Sequence, residues 1–245
     1  MAALIRDIRD TLVPDPDGRH GPLPPLLVGL TLVTGLVDSF SYLLLGHVFV
    51  ANMTGNVVFL GFALAGAPGF SIGASLVALA AFAAGALLGG MLTAQHAAHR
   101  ARFFSVAVAV QAVFLAAGAV LAGVGADPVT GGSRYALIVV LGLAMGLQNA
   151  AARKLAVPDL TTTVLTLTIT GVAADSTLAG GGGARAGRRL TAAVTMLAGA
   201  LIGAVLVRHA PIWLPLAITV AVTAAAAVAA YGSGRSDPPW VRTQA

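Results

Sequence analysis

Two short polar clusters interrupt apolar sequence, and their side chains are of the kinds that bind small solutes. The first runs from Asn52 to Asn56 (Asn-Met-Thr-Gly-Asn) and the second from Asp159 to Thr163 (Asp-Leu-Thr-Thr-Thr). Each follows an apolar segment that carries a strongly polar residue in its interior, Asp38 before the first and Asn149 before the second. Because unsatisfied polar groups at membrane depth cost several kcal/mol, the clusters need partners. Their duplication predicts an internal repeat around a binding or transport site.

Both clusters are predicted to open half-helices. Thr and Asn are strong N-caps, and a helix N-terminus inside a membrane presents free N–H groups and a positive dipole end. Two such termini meeting near the midplane would bind an anion or a polar uncharged solute. The candidate substrate-binding residues are Asp38, Asn52, Thr54, Gly55, Asn56, Asn149, Thr161, Thr162 and Thr163. In the alternative, the hydroxyls satisfy carbonyls of their own helix, as we favour for Thr166, Thr168 and Thr170.

Asp38 is the only acidic residue well inside a predicted span. Helical spacing places it on one stripe with Thr31, Thr34, Gly35 and Ser41, and this stripe should face the protein interior because a lipid-facing carboxylate is costly. The functional interpretation is a proton or cation carrier that couples transport or orients the substrate. In the structural interpretation, the carboxylate caps exposed backbone of the neighbouring half-helix.

Composition indicates an integral membrane protein. Hydrophobic residues form 58% of the 245-residue chain and charged residues 9%, and the mean hydropathy is +0.91, whereas soluble domains are about 25% charged. The absence of cysteine excludes disulfides and thiol nucleophiles. No nucleophile–base pair or paired carboxylates indicate an enzyme. His96 and His99 lack a third ligand nearby, so we expect no metal and no cofactor.

Eight apolar segments follow the first 24 residues, and two of them are unusual. Segments 48–66 and 160–174 contain the clusters, and Val57 to Ala67 would cover only about 16 Å of helix. If all eight segments cross, the basic residues divide nine inside to five outside. If these two enter and leave on one side, the division is twelve to two, with Arg134 and Arg208 outside, and the positive-inside rule prefers this arrangement.

The predicted fold is therefore an all-α integral membrane protein with six full transmembrane helices and two re-entrant half-helix segments. Three spans and one re-entrant segment in each half make the two repeats inverted. The predicted parts are a cytoplasmic tail or interfacial helix (1–24), the first repeat (25–124), an external linker (125–134), the second repeat (135–231) and a cytoplasmic tail (232–245). Asp38 and Asn149 match at an offset of 111, and Thr54 and Thr161 at 107.

Small-xxx-small pairs occur at matching places in the two halves. Gly85 and Gly89 correspond to Gly199 and Gly203, and Gly142 and Gly146 form a third pair. Such pairs let helix backbones approach closely in lipid. They predict helix packing within the chain or between subunits, and a homodimer is one expectation.

Three stretches of the chain carry a family likeness. They are the residues from Gly35 to Tyr42, the run from Val48 through the Met-Thr-Gly-Asn cluster, and the second-half signature from Met145 to Asn149 through Asp159 to Thr163. All three resemble the YoaK-like family of bacterial multipass membrane proteins. The likeness covers nearly the whole chain from Pro25 to Tyr231. It implies a six-span protein of the bacterial inner membrane and supplies no substrate.

Together these features predict a small secondary transporter or channel-like permease for a small polar or anionic solute, bound at the midplane between two half-helices. Its expected partners are that solute or ion and the lipid bilayer, without nucleic acid. The alternative is a non-transporting membrane sensor, scaffold or assembly protein, whose clusters only stabilise broken helices.

Overall fold

The fold was obtained as a computed structural model, which describes residues 2–15, 18–96, 98–125, 129–160, 162–163, 165–175, 180 and 186–242. These residues form α-helices joined by short connections. The helices are α1 (Ala2–Leu12), α2 (Leu23–Leu44), α3 (Met53–Leu64), α4 (Ile72–His96), α5 (Arg100–Val124), α6 (Gly131–Leu155), α7 (Leu165–Ala174), α8 (Ala186–His209) and α9 (Leu214–Gly234), followed by a short 3₁₀ helix (Pro239–Val241).

Six of these helices are long and apolar enough to cross a membrane: α2, α4, α5, α6, α8 and α9. Their outward surfaces carry large aliphatic side chains, for example Leu197, Leu201 and Val113, each more than 60% exposed. Such surfaces are stable in lipid, where polar groups need internal partners but aliphatic side chains do not. The expected six membrane-spanning helices of an all-α multipass membrane protein are therefore confirmed.

One end of the bundle, here called the charged end, is where α2 begins and α6 ends. The Arg100 guanidinium at the start of α5 ties it together by donating to the carbonyls of Arg19, Trp240 and Leu155 at 2.9–3.2 Å. The chain before α2 and the chain after α9 therefore lie at the same end. The described basic residues at this end are Arg6, Arg9, Arg19, Arg100, Arg102, Arg153, Lys154, Arg188, Arg189, Arg235 and Arg242; Arg185 lies outside the described residues.

The opposite end, the far end, is where α2 ends and α6 begins. His47, just after α2, bonds through Nδ1 to the Gly69 carbonyl just before α4 at 2.9 Å. A Cβ at Gly73, early in α4, would touch the Tyr135 hydroxyl early in α6. The connection from α2 through α3 to α4 thus leaves from and returns to the far end.

The corresponding connection in the second half leaves from and returns to the charged end. Arg188, near the start of α8, donates from its guanidinium to the Pro158 carbonyl shortly after α6 and from its backbone N–H to the Asp7 carboxylate of α1. These contacts place the end of α6, the start of α8 and α1 at the same end of the bundle. Helix α3 has 12 residues and α7 has 10, too few for a full crossing of about 30 Å.

Helices from the two halves interlock. Helix α4 packs most extensively against α6, α2 against α8, and α5 against α9. Glycines allow the first two of these pairs to approach closely. A Cβ at Gly85 or Gly146 would overlap backbone at the α4–α6 contact. A Cβ at Gly35 or Gly199 would overlap backbone at the α2–α8 contact. The small-xxx-small pairs thus serve packing within the chain.

Candidate functional site

The first cluster is held by Asp38, which lies within α2 and is only 4% exposed. Its carboxylate accepts hydrogen bonds from the backbone N–H groups of Val50 and Ala51 at 3.1 and 2.9 Å and from the Asn52 side-chain amide. The Asn52 backbone N–H is a further partner. Burying a carboxylate is costly unless donors satisfy its lone pairs, and these donors satisfy those of Asp38. Asp38 therefore anchors the first loop, residues 45–52.

A second amide closes the same loop from α3. The buried Asn56 side chain accepts from the Phe49 N–H at 2.9 Å and donates to the Phe49 carbonyl at 2.5 Å. Asn52 occupies the N-cap position of α3, but its side chain makes no capping bond and turns to Asp38 instead. The predicted helix start at the first cluster is therefore confirmed, whereas the predicted N-cap role of the Asn52 side chain is wrong.

Aromatic rings cover the first loop at the far end. Tyr42 stacks on Phe49, Phe49 contacts Phe59, and Phe59 stacks on Phe70, with ring centroids 5.1–5.6 Å apart. His47 packs against both Tyr42 and Phe70. Aromatic pairs at these distances stabilise by about 0.5–1.5 kcal/mol beyond their burial. The aromatic cover closes the first cluster from this side.

The second cluster is built on Asn149 of α6. The Thr163 hydroxyl donates to the Asn149 side-chain oxygen at 2.6 Å, and the Asn149 amide donates to the Met145 carbonyl of its own helix at 2.9 Å. Arg189 of α8 fixes the second loop, residues 156–163, by pairing with Asp159 at 2.9 Å. Residue 162 has a positive φ of 62°, and the buried Thr162 hydroxyl has no hydrogen-bond partner within the described residues.

A cavity of about 490 Å³ opens beside this second cluster. It lies between α4 and α6 toward the charged end, and its polar lining comes from Asn149, Thr163 and Arg153. The remaining lining is apolar, from Phe82, Ala86, Ala150, Ala152, Ala156 and Val157. A mostly apolar concave wall with a few converging polar groups is the usual form of a small-molecule site. The guanidinium, and the absence of carboxylates among the described residues of this lining, favour anionic or polar solutes.

The two clusters are equivalent by position. Asn52 follows Asp38 by 14 residues and Thr163 follows Asn149 by 14. Both pairs are related by the same offset of 111 positions, so no difference in loop length separates them. By this spacing Asn52 corresponds to Thr163, whereas the predicted match of Thr54 with Thr161 involves a residue outside the described ones.

A polar layer separates the clusters. Buried Gln148 of α6 donates to the Thr34 hydroxyl and the Leu30 carbonyl of α2 at 2.9 and 3.3 Å, and accepts from Gln111 of α5 at 2.6 Å. Asp38 lies beyond this layer toward the far end, and Asn149 lies on its other side. At 1.5 Å of rise per residue the clusters are about 10 Å apart along the bundle. Sequence reasoning missed Gln148, although an amide within a span was the available signal.

The remaining sequence-predicted residues are dispersed. Thr54 is exposed, and a Cβ at Gly55 would meet the Phe49 ring. Thr161 lies outside the described residues. The structure thus brings together Asp38, Asn52 and the nearby Asn56 in one place, and Asn149 with Thr163 in another, without joining the two groups.

Comparisons with known proteins agree with this architecture. Residues 26–230 match the model of a family described as a protein of unknown function, DUF1275. The chain is 36% identical over 154 residues to the UPF0700 transmembrane protein YoaK of Bacillus subtilis (strain 168), a match that covers 61% of this chain and 65% of that relative. The matched stretch thus spans just under two thirds of the relative's length. No solved structure matches.

Proposed function

The chain belongs to the DUF1275 family, and we propose that it is a small secondary transporter or channel-like permease with inverted repeats, not an enzyme. Its solute is small and polar or anionic, and it binds from the charged end beside Asn149 and Thr163. The observation that carries the proposal is the cavity of about 490 Å³ that reaches this pair next to Arg153.

Support for inversion comes from the direction and partners of the helices. Helix α6 begins at the end of the bundle where α2 ends. In the two halves, α2 corresponds to α6, α4 to α8 and α5 to α9. Exchanging corresponding helices turns the α4–α6 contact into the α8–α2 contact and leaves the α5–α9 contact unchanged. An arrangement that keeps its contacts under this exchange is what a pseudo-two-fold axis in the membrane plane requires.

Support for re-entrant segments comes from the two short helices. The connection that contains α3 has both ends at the far end, and the connection that contains α7 has both ends at the charged end. Their lengths correspond to about 18 and 15 Å of helix. Irregular backbone at membrane depth is tolerated where protein covers it or where it lines a cavity. The first loop is covered by protein, and the second loop borders a cavity.

Alternating access follows from the difference between the halves. The second cluster is open toward the charged end, whereas the aromatic cover closes the first cluster toward the far end. Transport would require the layer of Gln111, Gln148 and Thr34 to part and the first loop to open in turn. In this mechanism Asp38 remains the proposed coupling or orienting residue, acting when the first loop releases it.

The same proposal gives the orientation. Placing the charged end in the cytoplasm puts eleven of the thirteen described basic residues inside, as the positive-inside rule favours. The protein would then lie in the inner membrane with both termini cytoplasmic.

Uptake into liposomes tests the function. Purified protein would be reconstituted, and currents or uptake would be measured for a panel of small anions and neutral polar solutes. Arg153→Gln and Thr163→Ala should lower the rate for the transported solute at least tenfold. Lys154→Gln is the matched control, because this neighbouring cation is exposed and does not line the cavity.

Thiol labelling tests the access independently of solute identity. The chain has no cysteine, so single cysteines report cleanly. Ala150→Cys lines the cavity, and Ser39→Cys occupies the equivalent position in the first half. An impermeant maleimide applied at the charged end should label position 150 and leave position 39 unmodified. Equal labelling would contradict an opening confined to one side.

A second candidate is a non-transporting sensor or scaffold, which one observation favours. The Asp38 carboxylate is occupied by loop donors, as expected of a purely structural anchor. This function would be favoured if no solute of the panel were transported and none of them slowed the maleimide labelling of the cavity.

A further inference from the structure

A second cavity, of about 600 Å³, lies at the charged end between α1, the following tail and the start of α8. Its lining includes four arginines, Arg6, Arg9, Arg19 and Arg188, and two carboxylates, Asp10 and Asp15. It is distinct from the solute cavity, with which it shares no lining residue. Among the described residues of this lining, four cations against two anions leave an excess of positive charge.

Three of these guanidinium groups are available for a ligand. Within the described part of the chain, the side chains of Arg6, Arg9 and Arg19 make no ion pair or hydrogen bond. Arg188 instead donates to the Thr11 hydroxyl at 3.3 Å and the Pro158 carbonyl. The Arg100 guanidinium also lies nearby, since it donates to the Arg19 carbonyl at 3.2 Å.

Helix α1 is fixed over the cavity by its polar side. The Asp7 carboxylate accepts from the Arg188 N–H at 3.0 Å in the first turn of α8, where the helix dipole favours an anion. A Cβ at Gly187 would meet the Leu4 carbonyl, so this glycine permits the close approach. Large aliphatic residues of this segment remain uncovered: Ile5 is 61% exposed, Val13 51% and Leu12 47%.

We propose that this cavity binds the phosphate group of an anionic phospholipid while α1 lies in the membrane interface. The charged end is a membrane surface, and uncovered aliphatic residues beside unpaired arginines are the pattern of interfacial helices that recognise anionic lipids. The same cations could take inorganic phosphate, but only a lipid would also bring acyl chains to Ile5, Leu12 and Val13. We therefore assign the phosphate to a lipid headgroup.

Native mass spectrometry of the detergent-solubilised full-length chain tests the proposal. Phosphatidylglycerol and phosphatidylcholine would be titrated in parallel, with inorganic phosphate added as a competitor. Phosphatidylglycerol should bind at least tenfold more tightly than phosphatidylcholine. Arg6→Gln/Arg9→Gln should weaken phosphatidylglycerol about thirtyfold, since each interfacial cation contributes about a factor of five.

The matched control is Arg102→Gln/Lys154→Gln, which removes two exposed cations from the same end outside the cavity. It should change phosphatidylglycerol affinity by less than about threefold. Arg19 lies outside α1. The Arg19→Gln variant therefore tests the site if α1 of the double variant no longer packs against α8. Equal affinities of the cavity variants and the control would overturn the proposal. Displacement of the lipid by millimolar phosphate would overturn the lipid assignment in favour of free phosphate.

Discussion

The first and second loops occupy equivalent places in the two halves, yet one is packed and the other borders a cavity. Asp38 gathers two backbone N–H groups and the Asn52 amide, whereas Asn149 receives the single hydroxyl of Thr163. A carboxylate is an acceptor only and can take several donors, while an amide oxygen shares its side chain with a donor. This difference in residue type is one of several between the loops: the first packs around a carboxylate, whereas the second borders a cavity and is fixed by the Arg189–Asp159 pair.

The aromatic cover of the first loop also has no counterpart at the corresponding positions of the second half. At the offset of 111, Tyr42 corresponds to Arg153 and Phe59 to Thr170. Where the first half places stacked rings over its loop, the second half places a guanidinium at the cavity. A few side chains therefore decide that rings cover the first loop and that the second loop borders a cavity.

The largest expected effect is on stability. Asp38→Ala leaves at least two buried backbone N–H groups without an acceptor and should destabilise the fold by about 3–5 kcal/mol. Asn149→Ala removes the hydrogen bond from Thr163 beside the cavity and one to a carbonyl of its own helix, and should cost about 1–2 kcal/mol. Thermal unfolding in detergent should therefore show a melting temperature lowered by about 6–15 °C for the first and by only a few degrees for the second. Equal losses would show that the two loops are anchored alike.

The scaffold beneath the loops should respond symmetrically. Gly35→Ala and Gly146→Ala each force a methyl group into backbone of the facing helix and should each cost about 1–3 kcal/mol. Gly90→Ala, where a Cβ meets open space, should be neutral or slightly stabilising and serves as the control. Melting temperatures measure all three. A loss in only one half would contradict equivalent crossings.

The spans could be predicted from sequence because hydropathy and length reflect local physics. Six of the eight apolar segments appear as long helices, among them α2 (Leu23–Leu44) and α4 (Ile72–His96). The two clusters were also recognised, since polar residues in apolar sequence need partners. Their partners were not predictable in detail: the chain reverses after α2 through positive φ values at Gly46 and His47, which bring Asn52 back to Asp38.

The arrangement of the clusters was harder to predict. Sequence reasoning placed both at one midplane site, whereas the structure sets them on either side of the layer of Gln111 and Gln148. This layer depends on α4 packing with α6 and α2 with α8, contacts between halves that periodicity along one chain cannot reveal. Helix packing in lipid is decided by small residues meeting across such contacts.

A smaller effect is expected at the aromatic cover. Phe59→Ala removes the ring that contacts Phe49 and Phe70 and should expose the first loop toward the far end. Ala51→Cys, a buried position of that loop, reports the change. An impermeant maleimide applied at the far end should label position 51 several-fold faster in the Phe59→Ala background. Phe62→Ala, farther along the ring cluster, is the comparison variant and should have less effect. Unchanged labelling would show that the cover does not close this side.

The smallest expected change is in stability when Asn149 is given the first half's residue. In Asn149→Asp the Thr163 hydroxyl can still donate, and the new carboxylate borders a cavity instead of packed loop backbone, so the melting temperature should move by less than about 2 °C. Anion uptake should nevertheless fall, because a negative charge then faces the solute beside Arg153. A large stability gain would mean that the second loop can close over a carboxylate as the first does. The difference between the loops would then depend on position 149 alone, and no longer on the aromatic cover and the donors of the first loop.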